Sequence, residues 1–436
     1  MMQNDVAFLK QSFEHLQQTD AESPFALLRK EAFQDFDTMG LPTSRHEEWK
    51  YTRVSPLFRN AYQVNGNAYK ETLSDAEIQQ ALLPDHDKTY NLFFINGRYA
   101  ADKSHIPAEA IAIVPLEAAA VSVHYKEIIS THLNHSREYV KDGINALNTA
   151  FLKGGVLIYM KPGQKLDRPL HIYHLLDTRQ TPVLALPRSL VYLAKGAELN
   201  IAEVYKTIGQ ETSLTNQVAE IVLEEASVMN YWKIQHDVSH AHLINTTHFR
   251  QLGKSLLNIV TISLSGGTIR NNLHTVMEAS HAESHMYGLY YLKGKTHVDN
   301  HTVVDNTVPD CLSNELYKGV LDEESVAAFN GKIFVRKDAQ HTNAFQSNKN
   351  ILLSDDASVN TKPQLEIFAD DVKCSHGCTV GCLDEEALFY LQSRGVSREK
   401  AVSLLLHSFA SDVIEKIADD NLKAYVEQII EKHLTK

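Results

Sequence analysis

Residues 193–199 read LAKGAEL, residues 223–229 read LEEASVM, residues 321–326 read LDEESV and residues 353–359 read LSDDASV. Each stretch has a long apolar residue, then polar turn residues, then a small residue that leads into the next apolar run. Between such corners lie short runs rich in β-branched and aromatic residues: VLIYM, LHIYHLL, SLVYLA, AEIVLEE, NIVTISLS, GLYYLKG and KIFVRKD. Helical periodicity is almost absent from about Gly155 to Val380, so this span reads as all β. A degenerate repeat at irregular spacing, with a small residue at every corner, suits a β-solenoid, whose rungs stack and bury one continuous core. A large sandwich is the competing fold.

The flanks have a different texture. Val6, Leu9, Phe13 and Leu16 recur at helical spacing, and Phe25, Leu27, Leu28, Phe33 and Phe36 predict a second helix that stops near Gly40 and Pro42. Residues 1 to about 85 therefore read as mainly helical. Residues 90–99 (YNLFFINGRY) read as a hairpin turning on Asn96-Gly97. Residues from about 126 to 152 return to helix. After the β region, Asp384 and Ser397 are placed to cap helices, Gly395 to stop one, and Val402, Leu405, Leu406, Phe409, Val413 and Ile414 to form an apolar stripe. The expected organisation is a mainly helical region 1–154 with a short hairpin, a β core 155–383 and a helical end 384–436.

The 436 residues carry a formal net charge of −12, with 43% hydrophobic and 22% charged content. That is ordinary for a soluble globular chain and argues against a general nucleic-acid or anionic-membrane binder. The N-terminus MMQNDVAFLK lacks the basic and apolar segments of a signal peptide. No apolar run approaches the ~18 residues that predict a membrane span, so the expected compartment is the cytoplasm. The sequence has no GxxxxGK[ST] phosphate loop, no GxGxxG opening a helix and no GxSxG elbow. No catalytic residue is assigned.

Four cysteines in so long a chain do not staple a fold, and three of them fall within nine residues: Cys374-Ser-His376-Gly-Cys378-Thr-Val-Gly-Cys382. Thiolate and imidazole suit iron, zinc and iron–sulfur clusters. Gly377 and Gly381 disfavour a helix here. On a strand, even spacing puts Cys374, His376, Cys378 and Cys382 on one face. The bland reading is that free cysteine behaves as a small buried hydrophobe, and three with a histidine in so short a run strain it. Radical-SAM sites also cluster three cysteines, but with a CxxxCxxC spacing where this chain has CxxxCxxxC, and the alternating β/α pattern of that barrel is missing. His274, His281, His285, His297, His301 and His341 lie in polar surroundings. They read as solvated or hydrogen-bonded side chains before they read as metal ligands. The stretch 42–52 carries Trp49 and Tyr51, the pattern of a loop pinned by aromatics.

From residue 314 the runs NELYKGVL, FNGKI, AQHT, QSNKNILLS, TKPQLEI, ADDVKCSHG and FYLQSRG resemble the SufB/SufD family of iron–sulfur cluster assembly proteins. The segment DDVKCSHG is similar to the SufD branch of that family, and residues 45–52 resemble its N-terminal E-x-W-x-Y-T motif. The resemblance implies a right-handed parallel β-helix flanked by helices. It implies a non-catalytic scaffold paired with SufB and docked through its C-terminal helices to the ATPase SufC. A homodimer is the alternative partner state for the chain in isolation. The resemblance further implies that Cys374 and His376 handle iron or a transient cluster shared with SufB. Cys378 and Cys382 are not carried by the resemblance and stand as extra thiols. Reduced flavin is associated with the family's complex, with no site that the sequence locates. The rival class is a stand-alone enzyme, metal-dependent or carbohydrate-active, built on the same β-helix.

Overall fold

The computed structural model describes residues 6–65 and 73–434. Residues 1–5 and 66–72, part of the expected N-terminal helical region, lie outside the described residues. The molecule is mainly β, a parallel solenoid of about eight turns with helices at both ends.

Each turn contributes one strand to each of two sheets. One sheet runs from Leu170–Thr178 through Glu198–Gly209, Val228–His236, Leu256–Ser265, Glu283–Leu292, Leu312–Leu321 and Asn343–Leu352 to Lys373–Gly381. The other runs from Val156–Met160 through Arg188–Leu193, Ser213–Leu223, Ala241–Gln251, Thr268–Met277, His297–Asn306 and Val326–Val335 to Ser358–Ile367. In the first sheet one column of register partners climbs through Glu198, Val228, Leu256, Glu283, Leu312, Asn343 and Lys373. The step along the chain is nearly constant from rung to rung. The corner stretches, read as irregularly spaced, thus belong to a nearly regular repeat.

Burial explains the small corner residues. Ala197, Ser227, Ser255, Ala282 and Thr342 are all buried at successive turns, and Cys311 occupies the same column between Ala282 and Thr342. A column this close to the next rung has room for a thiol or a hydroxyl and little more. Cys311 is thus a core residue whose thiol burial pushes up to about 11. Turn residues Gly196, Ala226, Gly294 and Glu323 take positive φ, which bends the chain sharply from one sheet to the other.

The outer faces are covered by the flanks. Helices Ala7–Thr19, Ala26–Met39 and Gly143–Ala150 bring Leu9, Phe13, Phe36, Ile144 and Leu147 against Leu184, Leu214 and Ile244. The predicted hairpin is present, with Asn96 and Gly97 both left-handed. It pairs with Leu170–Thr178 and caps that sheet at its start. An unforeseen strand, Ile111–Pro115, runs antiparallel to Val156–Met160 and caps the other sheet. At the far end, Asp384 and Ser397 cap helices Glu385–Ser393 and Arg398–Ile414 as read, and Gly395 follows the first with φ of 86°. Helices Arg398–Ile414 and Asp420–Leu434 place Leu406, Val413, Leu422, Val426 and Ile430 on Trp232, Ile234, Val260, Ile262 and Leu289 of the first sheet. Each fully buried aliphatic side chain there is worth about 1.5–3 kcal/mol, so the helical end shares a core with the solenoid. Among the described residues no helix is long and apolar enough to cross a membrane.

Candidate functional site

The two sheets begin under caps and end without them. Lys373–Gly381 and Ser358–Ile367 are the last strands of their sheets, and each pairs on one side only. A strand with an unpaired edge presents backbone donors and acceptors to whatever lies beyond it. This edge carries the cysteine cluster.

Strand parity decides where those side chains point. Cys374 lies beside Ala344 in register and packs against the core between the sheets, where Ala344 is fully buried. His376 and Cys378 follow with the same parity, beside Gln346 and Asn348, so they also belong to the interior face. Cys374 is half-buried, and burial raises its thiol above the ordinary value. His376 and Cys378 are exposed, because no further rung covers them. Cys382 is exposed too, but the strand stops at Gly381, so pairing does not hold it on that face. The structure thus brings Cys374, His376 and Cys378 to one face and leaves Cys382 in the link to the next helix. Among the described residues no group of three or more His, Cys, Asp and Glu side chains is placed to hold a metal ion. The last strand does not close such a site by itself.

Beneath it the interior is polar. Gln346 and, one rung below, Glu315 stand in the same column as His376, and both are buried. Gln346 Nε2 donates to Glu315 Oε2 at 2.7 Å. Burial pushes Glu315 up to about 7, the hydrogen bonds it accepts offsetting part of the rise. Sequence reading gave neither residue a role.

The six histidines do not gather into one site, although His274 and His301 line the same cleft. His341 is exposed between Asp310 and Asp371, and His285 lies beside Glu283 and Asn314. His274 is buried and burial drives it down to about 3, which keeps the ring neutral. His297 and His301 fasten the N-terminal arm instead. Thr52 hydrogen-bonds His297 Nε2 at 2.9 Å and donates to Asp299 Oδ2, and His301 Nδ1 lies 3.3 Å from Glu48 Oε2. The hydrogen bond with His301 lowers Glu48 to about 2, against the opposing effect of its burial. Trp49 donates to Asp142 Oδ2 at 3.0 Å, and the Arg270 guanidinium sits 4.4 Å from its ring centre. The motif at 45–52 is therefore a clasp across the second sheet, pinned by Trp49 as read, while the Tyr51 ring lies against its own neighbour Lys50. Beside it lies a cleft of about 770 Å³ between residues 39–49 and the sheet.

Comparison with known proteins converges on one description. Residues 174–409 match the SufBD core domain of the SUF system for FeS cluster assembly, and residues 3–172 match the SufBD protein N-terminal region. An iron–sulfur cluster assembly SufBD family protein of Synechocystis sp. is 30% identical over 401 residues, covering 90% of this chain and 87% of that one. The iron–sulfur cluster assembly protein SufD of Escherichia coli is 29% identical over 400 residues, covering 89% of this chain and 88% of that one.

Proposed function

Because the chain belongs to the SufBD family of iron–sulfur cluster assembly proteins, we propose that it is a non-catalytic scaffold subunit whose open last rung pairs with SufB. Cys374 and His376 take part in holding iron or the nascent cluster across that seam. The observation that carries this reading is the exposed edge strand Lys373–Gly381, which aims a thiol and an imidazole into an uncovered solenoid end. A tetrahedral metal site needs further ligands than these two. A partner strand along the same edge supplies them, and a site split between two chains releases its cluster when the seam opens. Cluster and iron are cargo here.

The ATPase SufC docks on the terminal helices in this reading. Phe389 and Tyr390, 73% and 58% exposed, project from helix Glu385–Ser393 while its Leu388 is buried. Deleting the whole helical end would uncover Trp232 and its neighbours, so point substitution at Phe389 and Tyr390 is the cleaner probe.

The test is anaerobic reconstitution of the chain with SufB and SufC, followed by iron and sulfide analysis. Cys374→Ala and His376→Ala form the complex but lower the cluster yield. Cys378→Ala and Cys382→Ala lower it less. Full yield from both Cys374→Ala and His376→Ala sinks the shared-site reading, and a chain that joins neither partner sinks the scaffold reading.

A further inference from the structure

Five carboxylates are buried among the described residues: Glu203, Glu220, Asp299, Asp305 and Glu315. Four have a base at hand. Lys233 serves Glu203, Arg188 serves Glu220, Arg270 serves Asp299 and Arg336 serves Asp305. None of the ion pairs among the described residues reaches Glu315. A buried acid without a base is costly to keep, and such groups gather at functional sites. Glu315 stands two strands below His376 in the same interior column.

The residue between them shows what the acid does. In its ionised form Glu315 only accepts hydrogen bonds, so it takes the amide nitrogen of Gln346. The amide oxygen is then turned away from Glu315. Gln346 Oε1 is buried and has no hydrogen-bond partner. Room for the amide comes from the opposite sheet, where a Cβ on Gly331 would fall 2.2 Å from Gln346 Nε2. The next residue in the column is His376, whose ring has no rung above it.

We propose that Glu315 and Gln346 are positioning residues for His376: the carboxylate fixes the amide, and the amide oxygen accepts the N–H of the imidazole, leaving the other ring nitrogen free for a metal. Ligating histidines usually donate their second N–H to an acceptor in this way, which sets tautomer and ring direction. The inference rests on the iron-handling reading above for its purpose, but the hydrogen bond it proposes is tested independently of it.

The test uses the purified full-length chain with 15N-labelled histidine at pH 8, where Glu315 is ionised. The His376 signals are identified by their loss in His376→Ala. In the wild type they report a single tautomer. In Gln346→Met, which removes the acceptor at similar volume, they move to the mixture of an unrestrained imidazole. Glu315→Gln, which removes the obligate acceptor, moves them the same way and decides the matter should Gln346→Met fail to fold. Titration with Co(II) alone gives the second readout. Gln346→Met weakens binding by roughly 10–100-fold, the usual effect of losing such a partner. A wild-type His376 already in the mixed state, or signals unmoved in both variants, overturns the inference. So does Co(II) affinity within twofold of wild type in a folded Gln346→Met. Wild-type Co(II) binding by His376→Ala overturns the iron-handling reading instead, and the tautomer signals still decide this one.

Discussion

Glu203 and Glu315 are both buried between the same two sheets, four strands apart in one of them, and they are treated in opposite ways. Glu203 accepts from Gln217 at 2.6 Å and from Tyr205 at 2.9 Å, with Lys233 Nζ at 3.8 Å and His174 Nε2 at 3.7 Å. Burial works against its charge, but His174 and Lys233 outweigh it and hold the carboxylate at about 2. Glu315 has the same burial with an amide for company and rises to about 7. Mid-solenoid, each buried charge is balanced by a group on its own or a neighbouring strand. At Glu315, nearer the open end, burial persists without a base, whereas Lys318 on the same strand still has Asp412 beside it. The interior polarity of the middle reads as structure, and that of the end as a site awaiting something.

The largest break of this contrast is Lys233→Met. Lys233 is held by Asn245 and Thr247 at 2.6 and 2.7 Å as well as by Glu203. Removing it strands a buried carboxylate, which costs about 3–5 kcal/mol. Adding Glu203→Gln to Lys233→Met recovers a good part of the loss, since the uncompensated charge is then gone. Urea unfolding of the two variants checks this, and equal losses in both would mean that packing, not charge, sets the cost.

The second prediction inverts the sign. Glu315 has a folded pKa of about 7 against 4.5 for an ordinary carboxyl. The folded state therefore keeps its proton more tightly than the unfolded chain. Below pH ~4.5 both states are protonated and the acid costs nothing. Between pH ~4.5 and ~7 the unfolded chain ionises first, and stability falls as pH rises. Above pH ~7 the full penalty stands, at most roughly 3 kcal/mol. Glu315→Gln should thus be more stable than wild type at pH 8 by up to about that amount, with no gain at pH 4. Paired denaturation curves at the two values check it. A pH-independent difference would show that Glu315 does not titrate in this window.

Much of this molecule is legible in its sequence because solenoid corners are local. LAKGAEL and LEEASVM show the turn, and the step from Leu193 to Leu223 is the same as the register step from Glu198 to Val228 in the first sheet. Asn96-Gly97, Asp384 and Ser397 are likewise read in place. The clasp is not. Trp49 meets Asp142 and Arg270, both far along the chain, with no periodic signal to link the three. The column Glu315, Gln346, His376 lies in between these cases. Its two nearly equal steps were available, but only a known period turns equal spacing into contact. Cys374 and His376 stood out by chemistry, whereas Glu315 is an ordinary glutamate until its burial is known.

The smallest effect tests the open end directly. Inside the solenoid, glycines are filled space: a Cβ on Gly319 would fall 2.1 Å from Tyr290 Cε2, and one on Gly331 lands on Gln346. At Gly377, between His376 and Cys378, nothing lies within 4 Å of the same added atom, and φ is not left-handed. Alanine there has neither a clash to relieve nor a backbone to strain. Gly377→Ala should leave the stability of the isolated chain within ~0.5 kcal/mol of wild type, as at unconstrained surface positions. Gly331→Ala, by contrast, should lose about 1–3 kcal/mol through overpacking. The informative quantity is what Gly377→Ala does to assembly. A strand added to the edge Lys373–Gly381 would bring backbone and side chains to the space now empty beside Gly377, and the methyl that is harmless alone would then obstruct. The expected outcome is unchanged melting of the isolated chain with weaker co-purification of SufB. Unchanged melting with unchanged co-purification would place the partner elsewhere and leave the last rung as an uncapped end and nothing more.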